Sequence, residues 1–145
     1  MSTAVDRVGF FDALADRMNA HPERFSPLGE AEMAVGVVMR RDDGAFGLLV
    51  EFEGIECAGV AEADPPTLTR RADFSLVGDL GAWETMFADI RANGRATGLQ
   101  TINSLALLGD RIRCEGSDPM GIDKFSRFNQ TLQEFLDGAA TVAAD

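Results

Sequence analysis

Three β-rich runs separated by turn dipeptides constrain the fold of this chain most. Met33–Arg41 is the first run, and the apolar residues at positions 46, 48, 50 and 52 mark one face of the second. Asp43-Gly44 and Glu53-Gly54 separate the runs. Asp-Gly is a strong hairpin signal, because a type I′ turn requires positive φ at both central positions. The pattern predicts an antiparallel β meander whose third strand covers residues 55–60.

Apolar residues recur at helical spacing in three other stretches, residues 8–18, 83–90 and 125–136. Such a stripe gives a helix one apolar face. The second helix is predicted to end at Asn93-Gly94, because glycine tolerates the left-handed conformation of a helix cap. The third is predicted to begin at Asp118-Pro119, since Asp118 can accept from free amides and proline suits the first helical position. Helices at both ends of the chain therefore flank the strands.

Shorter sequence patterns predict the secondary structure of the segments between these elements. Asp64-Pro65-Pro66 predicts a loop, because proline interrupts regular structure. Alternation predicts a fourth strand over residues 68–77 and a fifth over residues 111–115. Apolar residues recur every three positions over residues 99–108, which favours a short helix. The result is an α+β fold, in which helices cover a mostly antiparallel five-stranded sheet.

The length of the chain, 145 residues, is that of one domain, so we expect residues 1–145 to form a single unit. Residues 1–6 and 138–145 are expected to be flexible. The N-terminus lacks the basic and apolar regions of a signal peptide. The longest apolar run, residues 33–39, is far too short to span a membrane. We therefore expect a cytoplasmic protein.

Charge restricts the partners of this chain. The 24 acidic residues outnumber the 13 basic ones, which leaves a net charge of -11. A protein this acidic repels the phosphate backbones of nucleic acids and also repels anionic membranes. We therefore expect no nucleic-acid partner and no stable membrane insertion.

Few residues in the chain are of the types, or in the motifs, that usually form catalytic sites. His21 is the only histidine and tyrosine is absent, so the sequence offers neither a catalytic triad nor a histidine-rich metal site. Glycine-rich phosphate loops and the G-x-S-x-G nucleophile elbow are also missing. Cys57 and Cys114 lie beside apolar residues, where free thiols usually behave as small buried hydrophobes. We predict no catalytic residue, no metal and no cofactor.

The second half of the chain carries a family resemblance. Residues 72–78, ADFSLVG, form a strand that leads into the helix ending near Gly94. Residues 109–116, GDRIRCEG, fit a strand of the type G-[KR]-[LI]-x-[LIV]-x-G, with an aspartate inserted after the first glycine and a cysteine at an aliphatic position. An amphipathic helix over residues 120–136 follows. Together these features, over residues 68–137, resemble the sterol carrier protein 2 family.

The resemblance implies a non-catalytic protein that binds a sterol, a fatty acid or a fatty acyl-CoA. In this family an apolar tunnel lies between the sheet and the helices. The matched apolar positions are Phe74, Leu76, Trp83, Phe87, Ile90, Ile112, Phe125, Phe128 and Leu132. The basic pair Arg70 and Arg71 is the candidate contact for an anionic head group at the tunnel mouth.

Two other functions remain open on the sequence. Small α+β cone-fold enzymes, of the isomerase or hydratase type, also enclose apolar pockets and work with a carboxylate, for which Glu56 and Asp73 are the candidates. Glu56 lies between Ile55 and Cys57, in a strand that we expect to be central in the sheet. The wide apolar face of the last helix also permits packing on a partner, as a homodimer or as a module of a larger lipid-metabolising enzyme.

Overall fold

The computed structural model describes residues 5–109 and 111–142, and in them five strands and five α-helical segments. The elements are α1 (Val8–Ala20), β1 (Met33–Arg41), β2 (Gly44–Glu53), β3 (Glu56–Glu62), α2 (Pro65–Arg71), β4 (Phe74–Asp79), α3 (Leu80–Asn93), α4 (Ile102–Ser104), β5 (Ile112–Glu115) and α5 (Pro119–Asp137). Short 3₁₀ turns lie between α1 and β1, before α4 and after α5.

The strands form one mixed sheet in the order β3-β2-β1-β4-β5. β1 and β4 are parallel, and the other neighbouring pairs are antiparallel. This confirms the predicted α+β fold with a mostly antiparallel five-stranded sheet. The first hairpin turn is one residue earlier than predicted, because Arg41 pairs with Gly44 and leaves Asp42 and Asp43 as the turn residues.

The helix boundaries follow the predicted signals. α1 ends at Ala20, two residues before Pro22. α3 ends at Asn93, and Gly94 takes the left-handed conformation with φ of 82°. At the start of α5, the Asp118 carboxylate accepts from the Met120 amide at 3.0 Å. These ends depend on contacts within a few residues, which explains why the sequence predicts them.

The prediction was wrong for residues 64–73. The proline pair lies in helix α2 instead of a loop, and β4 begins only at Phe74. Asp64 caps this helix by accepting from the Thr67 amide at 2.9 Å. The prolines are tolerated because the first-turn amides of a helix have no partner within the helix.

The remaining expectations fall partly outside the described residues. The predicted short helix over residues 99–108 is present as a 3₁₀ turn, Gly98–Gln100, then α4, then a π-helical turn, Leu105–Gly109. Residue 110, the inserted aspartate, and the chain ends 1–4 and 143–145 lie outside the described residues. Before the C-terminal end, Gly138–Ala140 form a 3₁₀ turn in which Ala139 is buried.

The sheet separates two apolar layers of unequal size. Helices α1, α3 and α5 cover one face, and the buried residues between them and the sheet form the main core. Its largest buried side chains are Trp83, Phe10, Phe11, Phe25, Phe74, Phe87 and Phe135. On the opposite face, α2 packs through Leu68 against Val38 and Leu49, which form a second, smaller cluster.

Two glycines let backbone segments approach closely on the two faces. A Cβ on Gly36 would collide with the Ser75 side chain and touch Leu68, so this glycine brings α2 close to β1. A Cβ on Gly121, in the first turns of α5, would overlap the carbonyl oxygen of Asp73. That contact holds the start of α5 against the residue that precedes β4.

Both cysteines are free and lie in the sheet. Cys57, in β3, is buried, and Cys114, in β5, is half-buried against the main core. Burial raises the pKa of each thiol to about 11, since it disfavours the charged thiolate. The raised pKa values are consistent with the interpretation of both cysteines as unreactive buried thiols.

We expect Gly121→Ala to lower the free energy of unfolding by about 1–3 kcal/mol, because the added methyl meets rigid backbone. Gly81→Ala is the matched control, since Gly81 is exposed near the start of α3 with open space around it. This control is expected to be neutral or to stabilise by at most about 1 kcal/mol. Urea unfolding measures both, and equal effects would contradict the close contact of α5 with Asp73.

We expect alkylation of the native thiols by iodoacetamide at pH 8 to be about 100-fold slower than in urea. A pKa near 11, two units above the ordinary value, leaves far less reactive thiolate. Mass spectrometry of timed samples counts the modified thiols. Native and denatured rates within a factor of about three of each other would contradict the raised pKa values.

Candidate functional site

The structure brings the nine predicted lipid-binding residues together in the main core. Eight of them are at most 3% exposed, and Phe128 is half-buried against the same cluster. They come from β4, α3, β5 and α5. The predicted lining is therefore one contiguous apolar layer between the sheet and the helices.

Aromatic rings fill much of this layer. Trp83 is fully buried and stacks on Phe87 with ring centres 6.4 Å apart, and its indole Nε1 donates to the Val38 carbonyl at 3.2 Å. The Phe74 and Phe125 rings meet edge to face at 5.5 Å. A ligand in this layer has to displace side chains or move a helix, since interiors are packed at crystal-like density.

Helix α5 contains a break at the position where it crosses this layer. Phe128 has φ of -117° and ψ of 15°, which is not helical, so the helix consists of two segments. The guanidinium carbon of Arg127 lies 5.1 Å from the centre of the Phe128 ring. The half-buried ring and the interrupted helical backbone make this the point at which α5 can bend most easily.

Residues 95–109, which we call the connecting segment, close the layer between α3 and β5. Ile102 and Leu105 insert into the main core and are at most 2% exposed. Leu99 and Leu107 point outward and are 65% and 68% exposed. Because the segment consists of short turns, few internal backbone bonds hold it.

Side chains of α3 and α5 hold the connecting segment in place. The Asp89 carboxylate accepts from the Thr97 amide at 2.6 Å, and Gln133 Oε1 accepts from the Ile102 amide at 2.7 Å. Asp137 accepts from the Ala96 amide at 3.1 Å. Burial raises the pKa of Asp137, and the bonds from Ala96 and Gln133 partly offset that effect. These contacts are the ones that must break for the segment to move.

Arg91 is a cation at the edge of the layer that the sequence analysis did not single out. Its guanidinium carbon lies 5.6 Å from the centre of the Phe10 ring, and Nε donates to the Ala139 carbonyl at 3.4 Å. Nη2 is buried and has no hydrogen-bond partner within the described residues, and neither has Gln100 Oε1. No carboxylate of the described residues forms an ion pair with Arg91. Arg91 follows Phe87 by four residues and therefore lies on the same face of α3. This spacing is the signal in the sequence that could have identified it.

Arg70 and Arg71 lie elsewhere. Both are exposed in the last turn of α2, which packs on the face of the sheet opposite the main core. Arg70 Nη2 donates to Thr67 Oγ1 at 3.5 Å. The structure does not bring this pair together with the nine apolar residues, so their head-group role stays a prediction.

The two candidate carboxylates are separated. Glu56 is exposed at the start of β3, which is an edge strand and not the central strand expected. Asp73 accepts from the Ala34 amide at 2.8 Å and from Lys124 Nζ at 3.3 Å. Those bonds give Asp73 a structural role, since they join the start of β4 to β1 and α5.

A cavity of about 350 Å³ lies on the face of the sheet that α2 partly covers. We call it the outer-face cavity. It is lined by Val38, Pro65, Leu68, Thr69, Ala72, Phe74, Ser75, Val77, Glu115, Gly116 and Ser117. Phe74 also belongs to the main core, and the sheet separates the other lining residues from that core.

The described residues contain no group of three or more His, Cys, Asp or Glu side chains arranged to hold a metal ion. None of the described helices combines the length and the apolar character needed to cross a bilayer.

No protein-family model and no curated protein matches the chain. A solved structure does match it, a crystal structure of sterol carrier protein 2, with a TM-score of 0.69. The match covers 97% of this chain and 100% of that one at 17% sequence identity. At this identity the likeness concerns the fold, and it extends beyond the residues 68–137 in which the sequence resemblance lies. The chain has the sterol carrier protein 2 fold.

Proposed function

We propose that this protein binds one apolar lipid, without changing it covalently, in the layer between the sheet and helices α1, α3 and α5. The observation that carries the proposal is the fold together with the gathering of all nine predicted apolar residues in that layer. A sterol, a fatty acid and a fatty acyl-CoA are the ligand classes that the fold suggests.

Burial of the ligand supplies the driving force. At about 0.8 kcal/mol per buried CH₂, a chain of about 15 carbons gains roughly 12 kcal/mol before costs. Ordering the ligand and displacing side chains consume part of this gain. The surplus is enough for a micromolar affinity, which corresponds to about 8 kcal/mol.

The entrance is proposed to lie where the connecting segment meets α5. Among the described side chains of the segment, Ile102, Leu105 and Ala96 are buried in the core, and hydrogen bonds from Ala96, Thr97 and Ile102 to side chains of α3 and α5 are its other anchors. The break at Phe128 lets the first part of α5 move relative to the second. Opening at this edge displaces few buried side chains, whereas opening elsewhere separates whole helices from the sheet.

Arg91 is the cation best placed to hold an anionic head group at that edge. Nη2 of Arg91 is buried without a hydrogen-bond partner among the described residues, and a ligand carboxylate accepting from Nη2 would satisfy this donor. Arg70 and Arg71 are the alternative cations from the sequence analysis. They require the head group to reach the opposite face of the sheet.

We expect dibrominated stearate to quench the fluorescence of Trp83 saturably, at one ligand per chain and about micromolar affinity. Trp83 is the only tryptophan and is fully buried in the proposed layer, so it reports on contact there. Bromoacetate is the control, since a small polar quencher does not reach a buried indole. Native mass spectrometry and organic extraction of fresh protein give an independent readout. Absence of both quenching and an extractable lipid would overturn the proposal.

We expect Arg91→Gln to reduce the preference for stearate over stearyl alcohol by about tenfold, because a charge-assisted bond to the carboxylate is lost. Arg95→Gln, an exposed position of the connecting segment, is the matched control and is expected to leave the preference unchanged. A double variant, Arg70→Gln with Arg71→Gln, tests the other pair. If that variant alone loses the preference, the head group belongs at α2 and Arg91 has no role in it.

A further inference from the structure

The outer-face cavity has three walls from separate parts of the fold. Val38 and Val77 pair across β1 and β4 and form its apolar floor with Ser75. Leu68, Thr69 and Ala72 of α2 form the second wall, and residues 115–117 after β5 form the third. The cavity is therefore a product of tertiary packing and lies on the face of the sheet opposite the proposed lipid layer.

The space exists because α2 is drawn toward one half of the sheet. A Cβ on Gly47 would collide with the Ala63 carbonyl and touch Leu68, and Gly36 is similarly close to α2. These two glycines on β1 and β2 set the position of the helix. The sheet beyond Val38 and Val77 is then left uncovered between α2 and residues 115–117.

Close packing fixes the third wall. A Cβ on Gly116 would lie 2.9 Å from Ile122 Cγ1 and 3.2 Å from the Asp73 carbonyl oxygen. The backbone beside Glu115 is thus held against α5 and against the residue before β4. A wall held in this way is present before any ligand arrives, which lowers the cost of binding.

The chemistry of the lining selects against anions. Its floor and helix wall are mainly apolar, and Thr69, Ser75 and Ser117 contribute hydroxyl groups. Glu115 is the only charged side chain among the described lining residues. Arg113 of β5 pairs with Val77 on the same face of the sheet but is not a lining residue. The net charge of -11 and the Glu115 carboxylate favour a cation or hydrogen-bond donor over a carboxylate ligand.

The size of the cavity selects a small ligand. A cavity of about 150 Å³ is enough for benzene in a protein interior, so 350 Å³ holds a ring with a short substituent. A long acyl chain does not fit inside it. The expected occupant therefore differs from the lipid of the proposed function in both size and charge.

We propose that the outer-face cavity is a second binding site, which takes a small aromatic or alicyclic amine, and more weakly the corresponding alcohol. The ring lies against Val38, Leu68 and Val77, and the ammonium or hydroxyl group donates to the Glu115 carboxylate. This site does not depend on lipid binding between the sheet and the main helices.

The test titrates the full chain with phenethylamine, phenylethanol and phenylacetate, and follows backbone amide resonances. We expect saturable shifts centred on Val38, Ser75 and Val77, with the amine bound about tenfold more tightly than the carboxylate. Glu115→Gln is expected to reduce that preference to about threefold or less. Equal binding of amine and carboxylate by the unaltered chain, or an absence of saturable shifts, overturns the proposal.

A second pair of variants tests the position of the site. Thr69→Trp places a ring in the cavity and is expected to abolish the shifts, whereas Pro66→Trp, at an exposed position of α2 that does not line the cavity, is expected to retain them. Binding that persists in Thr69→Trp places the ligand elsewhere and refutes the assignment. If Thr69→Trp does not fold, Glu115→Gln decides. Stearate binding followed by native mass spectrometry in the same variants shows whether lipid binding stands or fails separately, since these variants carry a second tryptophan.

Discussion

Burial of β1 on both of its faces is the constraint on which the rest of the structure depends. Val35, Val37 and Met39 are at most 2% exposed in the main core, while Val38 is 6% exposed on the opposite face. At about 1.5–3 kcal/mol each, these four side chains contribute roughly 6–12 kcal/mol of gross burial. That is comparable to the net stability of a typical domain. Loss of the helices on the main face would expose three of these four side chains, and loss of α2 would expose Val38.

The helices cover the two faces of the sheet to unequal extents, and this difference defines the two candidate sites. Three long helices close the main face over a contiguous apolar layer, which is the proposed lipid site. Among the described helices, α2 with its seven residues covers part of the opposite face, because this helix connects β3 to β4 across that side. The sheet lies between the two proposed sites.

Local signals predicted the helices and the meander, because apolar spacing and caps depend on nearby residues. α3 and α5 begin or end at the predicted Asn93-Gly94 and Asp118-Pro119. The error at residues 64–73 arose because prolines interrupt a helix in its interior but not in its first turn. The nine apolar residues were predicted to share one layer because of the resemblance to the sterol carrier protein 2 family. Glu56 was placed in a central strand because strand order has no local signal.

The amino-acid pattern determined which segments become helices or strands, and which side of each is apolar. Tertiary packing decided the parallel pairing of β1 with β4, and it placed α2 and its arginines on the far face. It also left Arg91 Nη2 without a hydrogen-bond partner among the described residues, and it opened the cavity next to Glu115. The physical reason is distance along the chain: the side chains that meet at these places are remote in sequence, and only the folded sheet brings them together.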